Sequence, residues 1–195
     1  HLSIRRQRQM CIETVLELTV GKLIAHAKAL GVPLFIGEWG NLENVDQMYL
    51  KDPLPAARLF RDIMEAHRFN AAYWSYQKDL DRRPSFAGII ARPYPQRIAG
   101  KLLDYTYHPD DGVFICHWQP EPVANADSIF FIPDICYPCG MQVILEPKIP
   151  YQLQTIVSDK PNKQLIITTS QTTNEIKLII RPEPKPLSSS VVSQP

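Results

Sequence analysis

The sequence predicts an α/β segment followed by an all-β domain, from two observations. The first is a pair of apolar runs, Pro33-Leu34-Phe35-Ile36 and Ala71-Ala72-Tyr73-Trp74, each preceded by a stretch with apolar residues at helical spacing. Short continuous apolar runs bounded by Pro, Gly or polar residues are characteristic of strands buried on both faces, as in parallel sheets. The second is a change of texture near residue 104, after which short β-rich runs alternate with turn residues.

The first helix spans about residues 4–30, with Ile12, Leu16, Leu23, Ala27 and Leu30 marking its apolar face. Gly31 and Pro33 stop it. A three-residue link then feeds a strand over Leu34–Glu38, completing an αβ unit of a parallel architecture. Residues 41–51 read as a loop, and Asp52 is placed to cap a helix beginning at Pro53. Ala56, Phe60, Ile63, Met64 and His67 mark one face of that helix, and the second strand follows over Ala71–Tyr76. His67 is expected as a packed or partly exposed helix residue rather than a ligand. Gln77 to Arg92 is a long charged loop, of the kind that carries function in compact domains. A short helix is expected over Pro95–Leu103.

Short strands are then predicted at Tyr105–His108, Val113–Trp118, Ile129–Ile132, Gln142–Leu145, Gln152–Val157, Gln164–Thr169 and Glu175–Ile180. Pro-Asp-Asp-Gly, Pro-Glu-Pro and Pro-Cys-Gly are among the turn signals between them. This spacing predicts an antiparallel β-sandwich. The expected domains are 1–103, α/β, and 104–181, β-sandwich, with a Pro- and Ser-rich tail over 182–195 predicted to be disordered.

With 21 basic and 20 acidic residues the net charge is +1, so no field selects nucleic acid. The cluster Arg5, Arg6 and Arg8 reads as a solvated helix face. No apolar run is long enough to span a membrane. Cys11, Cys116, Cys136 and Cys139 leave several pairings open, and a disulfide among the last three is expected in an oxidising compartment. Cys136-Tyr137-Pro138-Cys139 lacks a second ligand pair at zinc spacing, so no metal and no cofactor is expected. Trp118 and Tyr137 are expected in the core.

Glu38 follows Gly37 at the end of the first strand, and Trp39 and Gly40 come next. A retaining glycosidase needs an ionised carboxylate aimed from a rigid strand end, with a second carboxyl group roughly 5–5.5 Å away. Glu38 suits the nucleophile, Trp39 and Trp74 offer flat faces for a sugar ring, and Gly37 and Gly40 leave room for close approach. Several features occur in order: Pro33 to Gly40, then Tyr73-Trp74-Ser75-Tyr76-Gln77, Arg92-Pro93-Tyr94-Pro95, Ala99-Gly100, Ile132-Pro133 and Tyr137-Pro138-Cys139-Gly140. The series resembles the C-terminal part of endoglycoceramidase-like members of glycoside hydrolase family 5, over most of residues 20–150. The resemblance implies the last two β/α units of a partial (β/α)8 barrel ahead of the β-sandwich. It also implies Glu38 as catalytic nucleophile, Trp74 beneath the sugar at the cleavage point, Gln77 as a polar substrate contact and Trp39 as a pocket residue. Arg92-Pro93-Tyr94-Pro95 is expected to be architectural.

One departure matters. The family's acid/base is a Glu following an Asn at an earlier strand end, and the single Asn-Glu pair here, Asn174-Glu175, falls in the β domain. A complete barrel takes about 250 residues, and the chain opens on His1 in what reads as a helix. The expectation is therefore a fragment that needs the remainder of the barrel for a complete site. The resemblance implies a glycolipid or oligosaccharide substrate such as a glycosylceramide, a peripheral membrane contact, and a secreted or lysosomal location. Two alternatives stay open: another family 5 endoglycanase, cellulase- or mannanase-like, and a non-catalytic carbohydrate- or lipid-binding β module.

Overall fold

The computed structural model describes residues 2–40, 54–74, 88–121, 126–156, 162–169 and 174–184, with backbone alone for 2–13 and 54. It divides into two compact units between Ala91 and Arg92.

The first unit contains helix α1 (Leu2–Leu30), strand β1 (Phe35–Gly40), helix α2 (Leu54–His67) and strand β2 (Asn70–Trp74). β1 and β2 pair in parallel, with α2 lying between them in the chain. Two parallel strands joined through a helix form a β/α unit, as the apolar runs predicted. Val20, Ile24, Phe60, Met64 and Phe69 form the core, and Leu34, Ile36, Trp39 and Ala71 pack against it. The buried stripe of α1 differs from the expected one. Leu16, Val20, Ile24 and Ala27 turn inward, while Leu23 and Leu30 are exposed. Leu23 lies one helical step from Ile24, so it belongs to the neighbouring face of a helix that is apolar on more than one side. His67 is exposed at the end of α2. The expected Asp52 cap, and Ser75 to Gln77, lie outside the described residues.

The second unit is a β-sandwich of β3 (Tyr94–Arg97), β4 (Gly100–His108), β5 (Val113–Pro120), β6 (Asp127–Ile132), β7 (Met141–Glu146), β8 (Gln152–Thr155), β9 (Lys163–Thr168) and β10 (Ile176–Pro182). One four-stranded sheet runs β4-β5-β10-β7 and the other β3-β6-β9-β8. Every pairing in both is antiparallel. Phe114, Cys116 and Trp118 of β5 point inward at alternate positions, as do Phe130 and Ile132 of β6, Leu165 and Ile167 of β9, and Ile176, Leu178 and Ile180 of β10. This period of two is the alternation that the sequence displays. Phe130 packs between Phe114, at 6.2 Å, and Trp118, at 5.5 Å between ring centroids. Trp118 and Tyr137 are core residues, 0% and 2% exposed. The Pro-Asp-Asp-Gly hairpin turn forms between β4 and β5: the Gly112 N–H donates to the His108 carbonyl at 2.8 Å and Asp111 caps the Val113 N–H at 3.0 Å.

Residues 95–103 are a correction. The expected helix is replaced by β3 and the start of β4, so the sandwich begins at Arg92 rather than at 104. Pro95 suggested a helix start, yet β3 is an edge strand paired on one side with β6, where a missing N–H is tolerated. The Ala99-Gly100 step turns the chain from one sheet to the other. The Ala99 N–H donates to Ser128 Oγ at 3.0 Å, and the Ala99 carbonyl accepts from the Glu121 N–H at 3.1 Å. Gly100, with φ +139°, lies so close to β5 that a Cβ would overlap the Gln119 carbonyl. Pro182, the first residue of the predicted tail, instead ends β10. The part beyond Pro184 lies outside the described residues.

None of Cys116, Cys136 and Cys139 is disulfide-bonded, so the disulfide expected among them is not formed. Cys116 is sealed in the core. Burial pushes the Cys116 thiol and the Tyr137 hydroxyl well above their ordinary values of 9.0 and 10.0. Above those values the unfolded chain gives up protons that the folded chain keeps, so folding stability is full below them and declines as pH rises. Each of these two groups should cost about 1.4 kcal/mol per pH unit beyond its ordinary value. Urea unfolding followed by tryptophan fluorescence should show the denaturation midpoint falling steeply between about pH 9 and about pH 11. A midpoint unchanged over that range would contradict the burial of both groups.

Candidate active site

β1 carries the candidate carboxylate, and an irregularity in its pairing decides where that carboxylate points. Ile36 pairs with Ala71 and Trp39 with Tyr73, so β1 takes three steps where β2 takes two. This is a β-bulge centred on Gly37-Glu38. In a regular strand Glu38 would share the face of Ile36, because side chains alternate with period two. With the extra residue, Leu34, Ile36 and Trp39 all face the helices, and Glu38 is exposed with Gly37. The bulge therefore turns a carboxylate out of the apolar core and onto the open face of the pair.

β2 supplies the rest of that face. Ala71 and Tyr73 lie on the helix side, and Asn70, Ala72 and Trp74 on the other. Trp74 is 56% exposed and pairs with Gly40; Phe35, on the same face of β1, is 63% exposed. Glu38 and Trp74 thus share one surface at the C-terminal ends of two adjacent parallel strands. Such strand ends are where active sites of α/β folds are built.

Trp39 is not on that face. Its ring stacks on Phe60 at 4.6 Å and 19°, and meets the edge of Tyr73 at 5.2 Å and 88°. The two flanking glycines also differ in role. A Cβ on Gly37 would meet open space, which leaves room beside Glu38. Gly40 has φ +116°, and a Cβ there would overlap the Tyr73 ring. It serves packing rather than access. Gln77 lies outside the described residues. Among the described residues, no group of three or more His, Cys, Asp and Glu side chains is placed to hold a metal ion.

The remaining motif residues belong to the sandwich. Arg92 is 2% exposed and Pro93 is fully buried. The Arg92 guanidinium acts on the Tyr107 hydroxyl and the Cys136 thiol, opposing in part the upward push that burial gives both. Glu175 of the Asn174-Glu175 pair is exposed, 4.0 Å from His117 Nδ1, and His117 is held more closely by Asp104 at 3.0 Å. The sequence missed the bulge, whose one local sign is the glycine before Glu38.

Residues 92–180 match the glycoside hydrolase family 5 C-terminal domain. No curated protein sequence matches the chain. Among solved structures, the chain is similar to endo-glycoceramidase II from Rhodococcus sp. in its ganglioside GM3 complex, with TM-score 0.57 and 16% identity over 82% of this chain and 34% of that one. It is also similar to sterylglucosidase 1 from Cryptococcus neoformans, with TM-score 0.60 and 13% identity over 90% of this chain and 32% of that one. The chain spans about a third of the length of these structures. At such identities the likeness is one of fold. The C-terminal half of the chain is thus similar to the glycoside hydrolase family 5 C-terminal domain, and the fold is similar to that of an endo-glycoceramidase and a sterylglucosidase.

Proposed function

We propose that this chain is the C-terminal part of a retaining β-glycosidase acting on glycolipids, with Glu38 as nucleophile. The observation that carries the reading is the bulge that sets Glu38 on the open strand face beside Trp74. The family 5 domain and the fold shared with a ganglioside-binding endoglycoceramidase and a sterylglucosidase support it. β1 and β2 are then the last two strands of a (β/α)8 barrel whose other strands lie outside this chain.

In this reading the Glu38 carboxylate attacks the anomeric carbon, the bond to the leaving oxygen breaks, and a glycosyl ester forms on Glu38. The acid that protonates the leaving oxygen, and later takes a proton from the attacking water, belongs to the absent strands. Trp74 lies under the sugar, its exposed ring meeting the sugar's C–H face. Gln77 follows as a polar contact. Trp39 acts from behind, its stack with Phe60 and Tyr73 holding the backbone that aims Glu38. A secreted or lysosomal location and contact with a lipid surface accompany such a substrate.

The test is covalent trapping. The complete protein, treated with a 2-fluoro glycoside bearing an activated leaving group, should retain the sugar on the peptide containing Glu38. Label on another carboxylate would refute the assignment. A panel of glycosylceramide, sterylglucoside, cellulose and mannan separates the glycolipid reading from a cellulase- or mannanase-like one. Residues 1–195 alone should hydrolyse none of them, because the acid/base partner is missing.

A further inference from the structure

Cys136-Tyr137-Pro138-Cys139 has no part in the proposed glycosidase site. The segment forms two successive turns. A 3-10 turn over Asp134–Cys136 is closed by the Cys136 N–H on the Pro133 carbonyl at 3.1 Å and the Tyr137 N–H on the Asp134 carbonyl at 3.0 Å. The next closes through the Gly140 N–H on the Tyr137 carbonyl at 3.1 Å, with Pro138 in the second position, where its fixed φ is suited. Anchors hold this double turn on several sides. The Tyr137 ring is buried in the sandwich core, the Gly140 carbonyl accepts from the Glu183 N–H at 3.1 Å, and the Asp134 N–H donates to Asn162 Oδ1 at 3.2 Å. Neither cysteine is disulfide-bonded; Cys136 is half-buried at the base of the turn and Cys139 is exposed.

We propose that Cys136 and Cys139 form a reversible disulfide, making this turn a thiol-oxidation site of the sandwich. Two thiols three residues apart on an anchored backbone meet at high effective concentration, which favours closure over a lasting mixed disulfide. The Cys139 thiolate attacks one sulfur of a low-molecular-weight disulfide such as oxidised glutathione, and one glutathione thiolate leaves. Cys136 then loses its proton to water, its sulfur attacks the Cys139 sulfur, and the second glutathione leaves as thiolate. Two protein thiols are oxidised and one glutathione disulfide is reduced to two thiols. Burial opposes ionisation at Cys136, but the Tyr107 hydroxyl donates to its sulfur and the Arg92 guanidinium acts in the same favourable sense. Cys116, without exposure in the core, takes no part.

The test equilibrates the 195-residue chain in glutathione buffers of graded ratio, native and in guanidinium, followed by acid quench, alkylation and peptide mass mapping. The expected product is a peptide containing both cysteines, lighter by two hydrogens and resistant to alkylation. It should be half-formed at a glutathione ratio at least about tenfold more reducing in the native chain than in the denatured one. In Cys139→Ser, Cys136 should remain open to alkylation at every ratio. Glutathione retained on Cys139 without closure, failure of either cysteine to oxidise, or the same ratio for native and denatured chain would each overturn the proposal.

Discussion

Glu38→Gln in the complete protein is expected to lower glycoside hydrolysis by roughly 10⁴-fold or more. The amide keeps the shape of the side chain and removes the charge that attacks the anomeric carbon. Because Glu38 lies outside the apolar cluster of its unit, the substitution should leave the thermal midpoint unchanged. Loss of activity with an unaltered melt is the signature of a group used in chemistry. A carboxylate serving only the surface would leave kcat intact, and one needed for folding would shift the melt. Trp74→Ala should differ from it in kind, raising KM and lowering kcat/KM by about one to two orders of magnitude, since a stacking platform acts mainly through binding.

The second large effect concerns where the sandwich begins. A fragment of residues 92–184 should unfold in a single cooperative transition, and one of 104–184 should not fold. The shorter fragment loses all of β3 and the first four residues of β4, Gly100 to Leu103, together with Arg92 and Pro93 from the core. It also loses the Ala99 N–H bond to Ser128, the Arg97 Nε bond to the Asp127 carbonyl at 2.9 Å and the Gln164–Gln96 side-chain bond at 2.8 Å. Without β3, the edge of β6 lies bare, and Ser128, with no exposure in the intact domain, keeps a hydroxyl without its backbone donor. Set against a typical total stability of about 5–15 kcal/mol, such losses suffice to unfold a small domain. Circular dichroism melts of the two fragments decide the matter, and a sigmoidal melt for 104–184 would place the boundary near 104 after all.

Much of the fold was legible because its signals are local. Alternation in Val113–Trp118 and Glu175–Ile180, the Pro-Asp-Asp-Gly turn and the Gly31 stop each depend on a few neighbouring residues. They correspond to β5, β10, the β4–β5 hairpin and the end of α1. The apolar runs at Leu34 and Ala71 likewise forecast a parallel pair, and Trp118 and Tyr137 were expected in the core where they lie. Buried there, neither ring offers a surface on which the sandwich could bind a carbohydrate.

The sequence by itself determined the β/α-then-β order, the alternation of the sandwich strands and the choice of Glu38 as the candidate carboxylate. Tertiary structure alone decided the rest, because each remaining feature depends on a partner distant in the chain. β3 is a strand because β6 pairs with it, against a local preference of Pro95 for a helix start. The stripe of α1 that turns inward is selected by Phe60, Met64 and Phe69 across the unit. Trp39 is drawn to the helix side by Phe60 and Tyr73, while Trp74 and Phe35 remain on the open face. The direction of Glu38 rests on one extra residue in β1 relative to β2, a mismatch that has no meaning until the two strands are paired.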